Sequence, residues 1–84
     1  MTTRAGNPFQ LYLLDLATLL KERARRAKID AAREGGDAAA FSKGVVMGYY
    51  EVLSAMRSQA LAFDISLEDL NLHDIDPDKE LLQS

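Results

Sequence analysis

The chain has 84 residues, a net charge of −3 at pH 7 and no cysteine. This length fits one small domain, and the lack of cysteine excludes disulfides, thiolate catalysis and cysteine-based zinc sites. The most apolar run, from Leu11 to Leu20, contains Asp15 and is too short to cross a bilayer. We therefore expect a cytoplasmic protein with no signal peptide and no membrane insertion.

The first predicted element is a long helix that follows a frayed terminus at residues 1–6. Asn7 is a good N-cap and Pro8 suits the first helical position. Helix-forming residues continue to Glu34, and Gly35-Gly36 ends the helix because glycine adopts the left-handed conformation of a C-cap. Helix 1 is therefore predicted over residues 8–34.

A second long helix is predicted over residues 38–63, with Asp37 as its cap. The connection between the two helices is so short that they must form an antiparallel hairpin. Residues 64–84 form an acidic tail, in which Ser66 caps one short helix and a last short turn covers Asp78–Leu82. No alternating run indicates a strand. The predicted fold is a single all-α domain: a long antiparallel helical hairpin plus one or two short C-terminal helices.

Small residues form a line along helix 2. Two glycines inside a helix cost about 1 kcal/mol each relative to alanine, and close approach of another helix would offset that loss. In an antiparallel hairpin the glycines lie level with small residues of helix 1. We therefore expect tight helix packing, against helix 1 or against a second subunit, at Gly44, Gly48, Ala55, Ala62, Ala24 and Ala27.

The hairpin also carries more apolar surface than two helices can hide from water. This excess predicts a homodimer in the form of a four-helix bundle, although a monomer closed by its own tail is the alternative. The residues expected at the self-association interface are Leu11, Leu14, Phe41, Tyr49, Val52 and Met56.

Charge is distributed unevenly. Residues 1–43 carry eight Lys or Arg and five Asp or Glu, a balance of +3, whereas residues 44–84 carry two and eight, a balance of −6. A basic helix face can neutralise nucleic-acid phosphates, and the candidate basic patch consists of Lys21, Arg25, Arg26 and Lys28. Acidic residues interleave with the patch, no aromatic residue or asparagine on that face offers contacts to bases, and the whole chain is acidic, so a solvated helix face is the favoured interpretation. An acidic protein surface, such as the tail of a second copy, is a third option.

The sequence offers few candidate catalytic residues. His73 is the one histidine and lies in an acidic loop, where a surface role is the ordinary one. Asp74, Asp76 and Asp78 alternate as in a calcium loop, but Lys79 stands where such a loop needs glycine. We therefore predict no catalytic residues, no metal site and no cofactor.

The segments GYYEVLSAM and SLEDLNL resemble those of small bacterial helical proteins, a resemblance that implies no activity. The function favoured by the sequence is non-enzymatic: a small interaction or regulatory module that presents helix surfaces to a protein partner. The alternative is a nucleic-acid-associated regulator that uses the basic face of helix 1.

Overall fold

A computed structural model describes residues 7–83, which fold into two long helices and a C-terminal segment. Helix α1 spans Pro8–Arg33 and helix α2 spans Gly36–Ala62. The two helices pack against each other as a hairpin, and residues 7–83 contain no strand. The predicted all-α class and helical hairpin are therefore confirmed.

Helix α1 begins where its capping residues predict. The Asn7 side chain accepts a hydrogen bond from the backbone N–H of Gln10 at 2.8 Å, and Pro8 occupies the first helical position. The helix ends at Arg33, one residue earlier than predicted, because Glu34 already has an extended backbone. Arg33 in the last turn carries the charge that favours the negative end of the helix dipole.

The turn between the helices is tighter than the sequence suggests. Gly36 adopts the left-handed conformation, with φ +65°, yet it is already the first residue of α2. Asp37 consequently lies in the first turn of α2, and its predicted role as the cap is wrong. An acidic residue in this turn still favours the positive end of the helix dipole.

The C-terminal segment, residues 67–83, is called the strap below. It contains a 3₁₀ turn at Glu68–Leu70 and a π-helical turn at Asp78–Leu82. The Ser66 hydroxyl accepts a hydrogen bond from the backbone N–H of Asp69 at 3.2 Å, as a capping residue does. The strap runs from the open end of the hairpin back towards its turn, parallel to α1.

The core lies between the two helices and the strap. Its buried apolar side chains come from all three segments and are Ala17, Ala24, Val46, Leu53, Leu72, Ile75 and Leu81. Leu53 and Leu72 are fully buried. Burial of a leucine or isoleucine side chain contributes about 1.5–3 kcal/mol, so the strap is the third wall of the core.

Neither helix in residues 7–83 has a stretch that is both long and apolar enough to cross a membrane. The molecule is elongated, with principal extents of 52 × 21 × 16 Å. One broad side of the hairpin is covered by the strap, and the other side remains open.

Candidate functional site

The basic face of α1 holds the strap. Lys21 is the one buried charged residue of the described chain, at 5% exposure. Its ammonium group contacts the Asp74 carboxylate at 2.6 Å. The hydrogen bond from Lys21 lowers the pKa of the Asp74 carboxyl. A buried ammonium needs such a partner, since removing the carboxylate would leave a charge without compensation.

Arg25 makes the second charged contact with the strap, one helical turn further along. Its Nε and one terminal nitrogen donate to the two oxygens of Glu80, at 2.9 and 3.3 Å. The guanidinium also donates to the backbone carbonyl of Asp74 at 3.0 Å. The bond from Arg25 lowers the pKa of Glu80, and the same bond raises the pKa of Arg25. A two-pronged pair of this kind fixes geometry as well as charge.

Three further contacts hold the strap along its length. Lys28 donates to the backbone carbonyls of Leu81, at 3.3 Å, and of Gln83, at 2.5 Å. At the other end, the Asn71 amide donates to the Thr18 hydroxyl at 2.6 Å. The two ion pairs therefore lie between the Asn71–Thr18 contact and the Lys28 contacts, in which the strap contributes only uncharged groups.

On α2, the hydroxyl of Tyr50 donates to the Asp78 carboxylate at 2.9 Å. This bond, together with the negative charge of Asp78, raises the pKa of Tyr50. The strap therefore makes polar contacts with both helices, in addition to the apolar side chains that it buries between them.

The predicted basic patch is divided by these contacts. Lys21, Arg25 and Lys28 share one face of α1, and the chain's own strap occupies that face. Arg26 lies apart and pairs with Asp30 of the same helix at 3.7 Å. The hypothesis that the tail reaches the basic half of a second copy is not needed to pair these charges, because the tail reaches them within one chain.

The acidic residues that resemble a calcium loop have separate partners. Asp74 binds Lys21, Asp78 accepts from Tyr50, and Asp76 accepts from the backbone N–H of Lys79 at 3.3 Å. Within residues 7–83 no group of three His, Asp or Glu side chains is placed to hold a metal ion. His73 is exposed on the strap.

A largely exposed side of α2 carries a second pattern. Near the open end of the hairpin, two of its residues, Ala55 and Gln59, line an apolar groove together with Leu70 of the strap. The residues of this side follow alternating steps of four and three, the heptad spacing of paired helices. We call this row the α2 seam: Phe41, Val45, Gly48, Val52, Ala55, Gln59 and Ala62. All of them are exposed except Val45, which is half-buried. Heptad positions of this type normally face another helix, and here they face solvent.

The predicted helix-packing residues do not all lie between the two helices. A Cβ added at Gly44 or Gly48 would meet no atom within 4 Å, so α1 does not approach either glycine. Ala55 and Ala62 are exposed too, whereas Ala24 is fully buried and Ala27 packs on the core. Of the two predicted alternatives, contact of the glycines with α1 is therefore wrong. Contact with a second subunit stays a prediction.

The predicted self-association residues fall on two different faces. Phe41 and Val52, with exposures of 76% and 47%, belong to the seam. The side chains of Tyr49 and Met56 are half-buried beside it and pack on the core.

Leu11 and Leu14 lie on the other face. Leu14 shares a helix face with Thr18, Lys21 and Arg25, which contact the strap. Leu11, half exposed, lies beside Leu14 rather than beside the seam. The predicted set therefore does not form one surface.

A groove between the helices runs beside the seam. It has a volume of about 560 Å³, and its walls carry apolar residues such as Leu19 and Tyr49 and charged residues such as Arg23 and Asp30. A second groove of about 340 Å³ continues it towards Phe41 and the turn. No strap residue lines either groove.

Comparisons with known proteins add no functional assignment. No protein-family model matches the chain, and neither a curated protein nor a solved structure matches it.

Proposed function

We propose that this protein is a non-enzymatic interaction module that presents helix surfaces to another protein, and that a second copy of the chain is the partner of the α2 seam. The observation that carries the proposal is the row of heptad-spaced residues on the open side of α2. The two hairpins would then form a four-helix bundle.

The side-chain sizes along the seam favour a second copy. In a two-fold antiparallel pairing centred at Tyr50, residues at equal distances on either side of that position lie opposite each other. Gly48 then faces Val52, and Val45 faces Ala55. These two central layers each pair a larger side chain with a smaller one, which is how two helices approach closely without voids. Further out, Phe41 would face Gln59 and Ala62 would face Ala38. The same two helices would bury Phe41, which the single chain leaves 76% exposed.

The nucleic-acid alternative has no comparable support. Phosphate binding needs accessible cations, and Lys21 is buried beneath the strap while Arg25 is paired with Glu80. Arg26 is the member of the predicted patch that stays outside the strap contacts.

The first test is solution mass by light scattering over a range of concentrations. We expect the mass of two chains at high concentration and a shift towards one chain on dilution. Val52→Lys places a charge in the middle of the seam and should reduce the dimer strongly. Ile29→Lys is the matched control, because Ile29 is an aliphatic residue of α1 with 50% exposure, close to the 47% of Val52.

A dimer that survives Val52→Lys as well as it survives Ile29→Lys would place the interface elsewhere. A monomer at every concentration would reject self-association through the seam. A labelled DNA or RNA duplex titrated at low salt tests the alternative, which would gain support from binding that declines steeply as salt rises.

A further inference from the structure

The strap is held in its cleft as a separate ligand would be held. Its polar contacts with α1 and α2 come from residues 71–83, and its apolar side chains insert between the helices. Four residues, 63–66, connect it to α2, and all four are exposed. We propose that the strap exchanges between copies, so that the cleft of one chain takes the strap of a second chain.

Exchange would preserve the contacts that define the cleft. The Lys21–Asp74 and Arg25–Glu80 pairs join residues 53 and 55 positions apart, and none of them depends on the strap belonging to the same chain. In a reciprocal pair, Asp74 and Glu80 of each copy would complete the cleft of the other. Exchange of an identical element between subunits is a low-cost route to a dimer for this reason.

The connecting segment closes the end of α2 with a local cap. Asp64 has the left-handed conformation, with φ +58°, and the backbone N–H groups of Asp64 and Ile65 donate to the carbonyls of Leu61 and Ala60. This is the bond pattern of a Schellman cap, in which the residue after the helix adopts the left-handed conformation. Because the cap is made within residues 60–65, it forms whether the strap lies in its own cleft or in the cleft of a second chain.

The cleft also defines what can replace the strap. An occupant must carry carboxylates for Lys21 and Arg25 and apolar side chains to fill the positions of Leu72 and Ile75. A peptide that lacks either feature would leave a buried ammonium unpaired or the core open to water. The strap of a second copy has the same sequence and therefore has both features, and we assign it as the occupant of the cleft.

The contact between Lys21 and Asp74 gives a direct test with the full-length protein. A carbodiimide condenses an amine with a carboxylate that touches it, forming an amide, and the 2.6 Å pair meets that condition. Equal amounts of ¹⁴N-labelled and ¹⁵N-labelled protein are mixed, incubated at high salt to weaken the partly exposed ion pairs, returned to low salt and cross-linked. Mass spectrometry then separates same-chain from mixed-isotope Lys21–Asp74 peptides.

We expect mixed-isotope peptides whose fraction rises with protein concentration.

The experiment separates strap exchange from association through the seam. In the Val52→Lys variant the seam is disrupted, and mixed-isotope peptides should persist if exchange is independent of it. Same-chain peptides alone, at every concentration and after the high-salt incubation, would overturn the proposal.

Discussion

Replacing Gly44 or Gly48 with alanine is expected to stabilise the single chain. Both residues lie inside α2, and an added Cβ at either site would meet no atom within 4 Å. The substitution therefore gains helix propensity without a clash, by about 0.8–1 kcal/mol at each site. For a domain of this size, ~1 kcal/mol corresponds to a rise of about 4–8 °C in the thermal midpoint.

The assay is thermal unfolding followed by circular dichroism, at a concentration low enough for the chain to be monomeric by light scattering. Gly36→Ala is the control of opposite sign, since Gly36 has φ +65° and an alanine there would be strained. A lower midpoint for Gly48→Ala in the dilute sample would refute the reasoning, because it would mean that part of the same chain contacts Gly48.

A larger substitution at Gly48 should affect the single chain and the dimer differently. Gly48 is exposed in the single chain and a Cβ there would meet no atom within 4 Å, and leucine favours a helix more than glycine does, so the dilute midpoint should not fall. In the proposed bundle, however, the added side chain would hold the two α2 helices apart, and the dimer should weaken. If Gly48→Leu dimerises as tightly as wild type, close approach at this position is wrong.

The remaining predictions concern the strap and the core. Leu72→Ala should lower the free energy of unfolding by about 2–5 kcal/mol in chemical denaturation, whereas Leu61→Ala, at a site 75% exposed, should change it by less than about 0.5 kcal/mol. Asp74 and Glu80 have lowered pKa values in the folded state, so their contribution to the free energy of unfolding is complete above the pKa values of the unfolded chain and is lost as the pH falls through the folded-state values. The thermal midpoint should therefore decline in acid, and it should decline less steeply in the double variant Asp74→Asn, Glu80→Gln. Arg57 has a buried Nε without a hydrogen-bond partner in residues 7–83, so Arg57→Met should raise stability by about 1 kcal/mol; a loss would indicate that a water molecule satisfies this nitrogen.

The long helices could be predicted because their signals are local. Asn7 and Pro8 determine where α1 begins through a single hydrogen bond and a fixed backbone angle, and Gly36 provides the left-handed residue of the turn. These features depend on neighbours in the chain, so one sequence is enough to find them.

The partner of each helix face was not predictable in the same way. A helical wheel shows that Gly44 and Gly48 share a side with Ala55, but it does not show which side turns towards α1. The propensity loss at the glycines pointed to a close neighbour, and in the single chain that neighbour is solvent. Which residues share a face is local information, whereas the direction of the face depends on how the whole hairpin packs.

The sequence does not show the path of the strap, because the contacts that hold it join residues more than 50 positions apart. A segment of 17 residues is long enough to run back along much of α1. In the structure, Lys21 and Lys28 each contact a strap residue 53 positions later, and Arg25 contacts one 55 positions later. A nearly constant offset of this kind is typical of two segments that run parallel.

The position of Leu81 in the core has a consequence for folding during synthesis. The hairpin is complete once Ala62 has been added, but its cleft stays open until the residues that fill it have left the ribosome. Until then, Leu53 and Val46 face water on one side, and a nascent hairpin with an exposed apolar cleft is prone to association with its neighbours. Stable folding therefore waits until Leu81 has emerged, since contacts between residues more than 50 positions apart close the structure last.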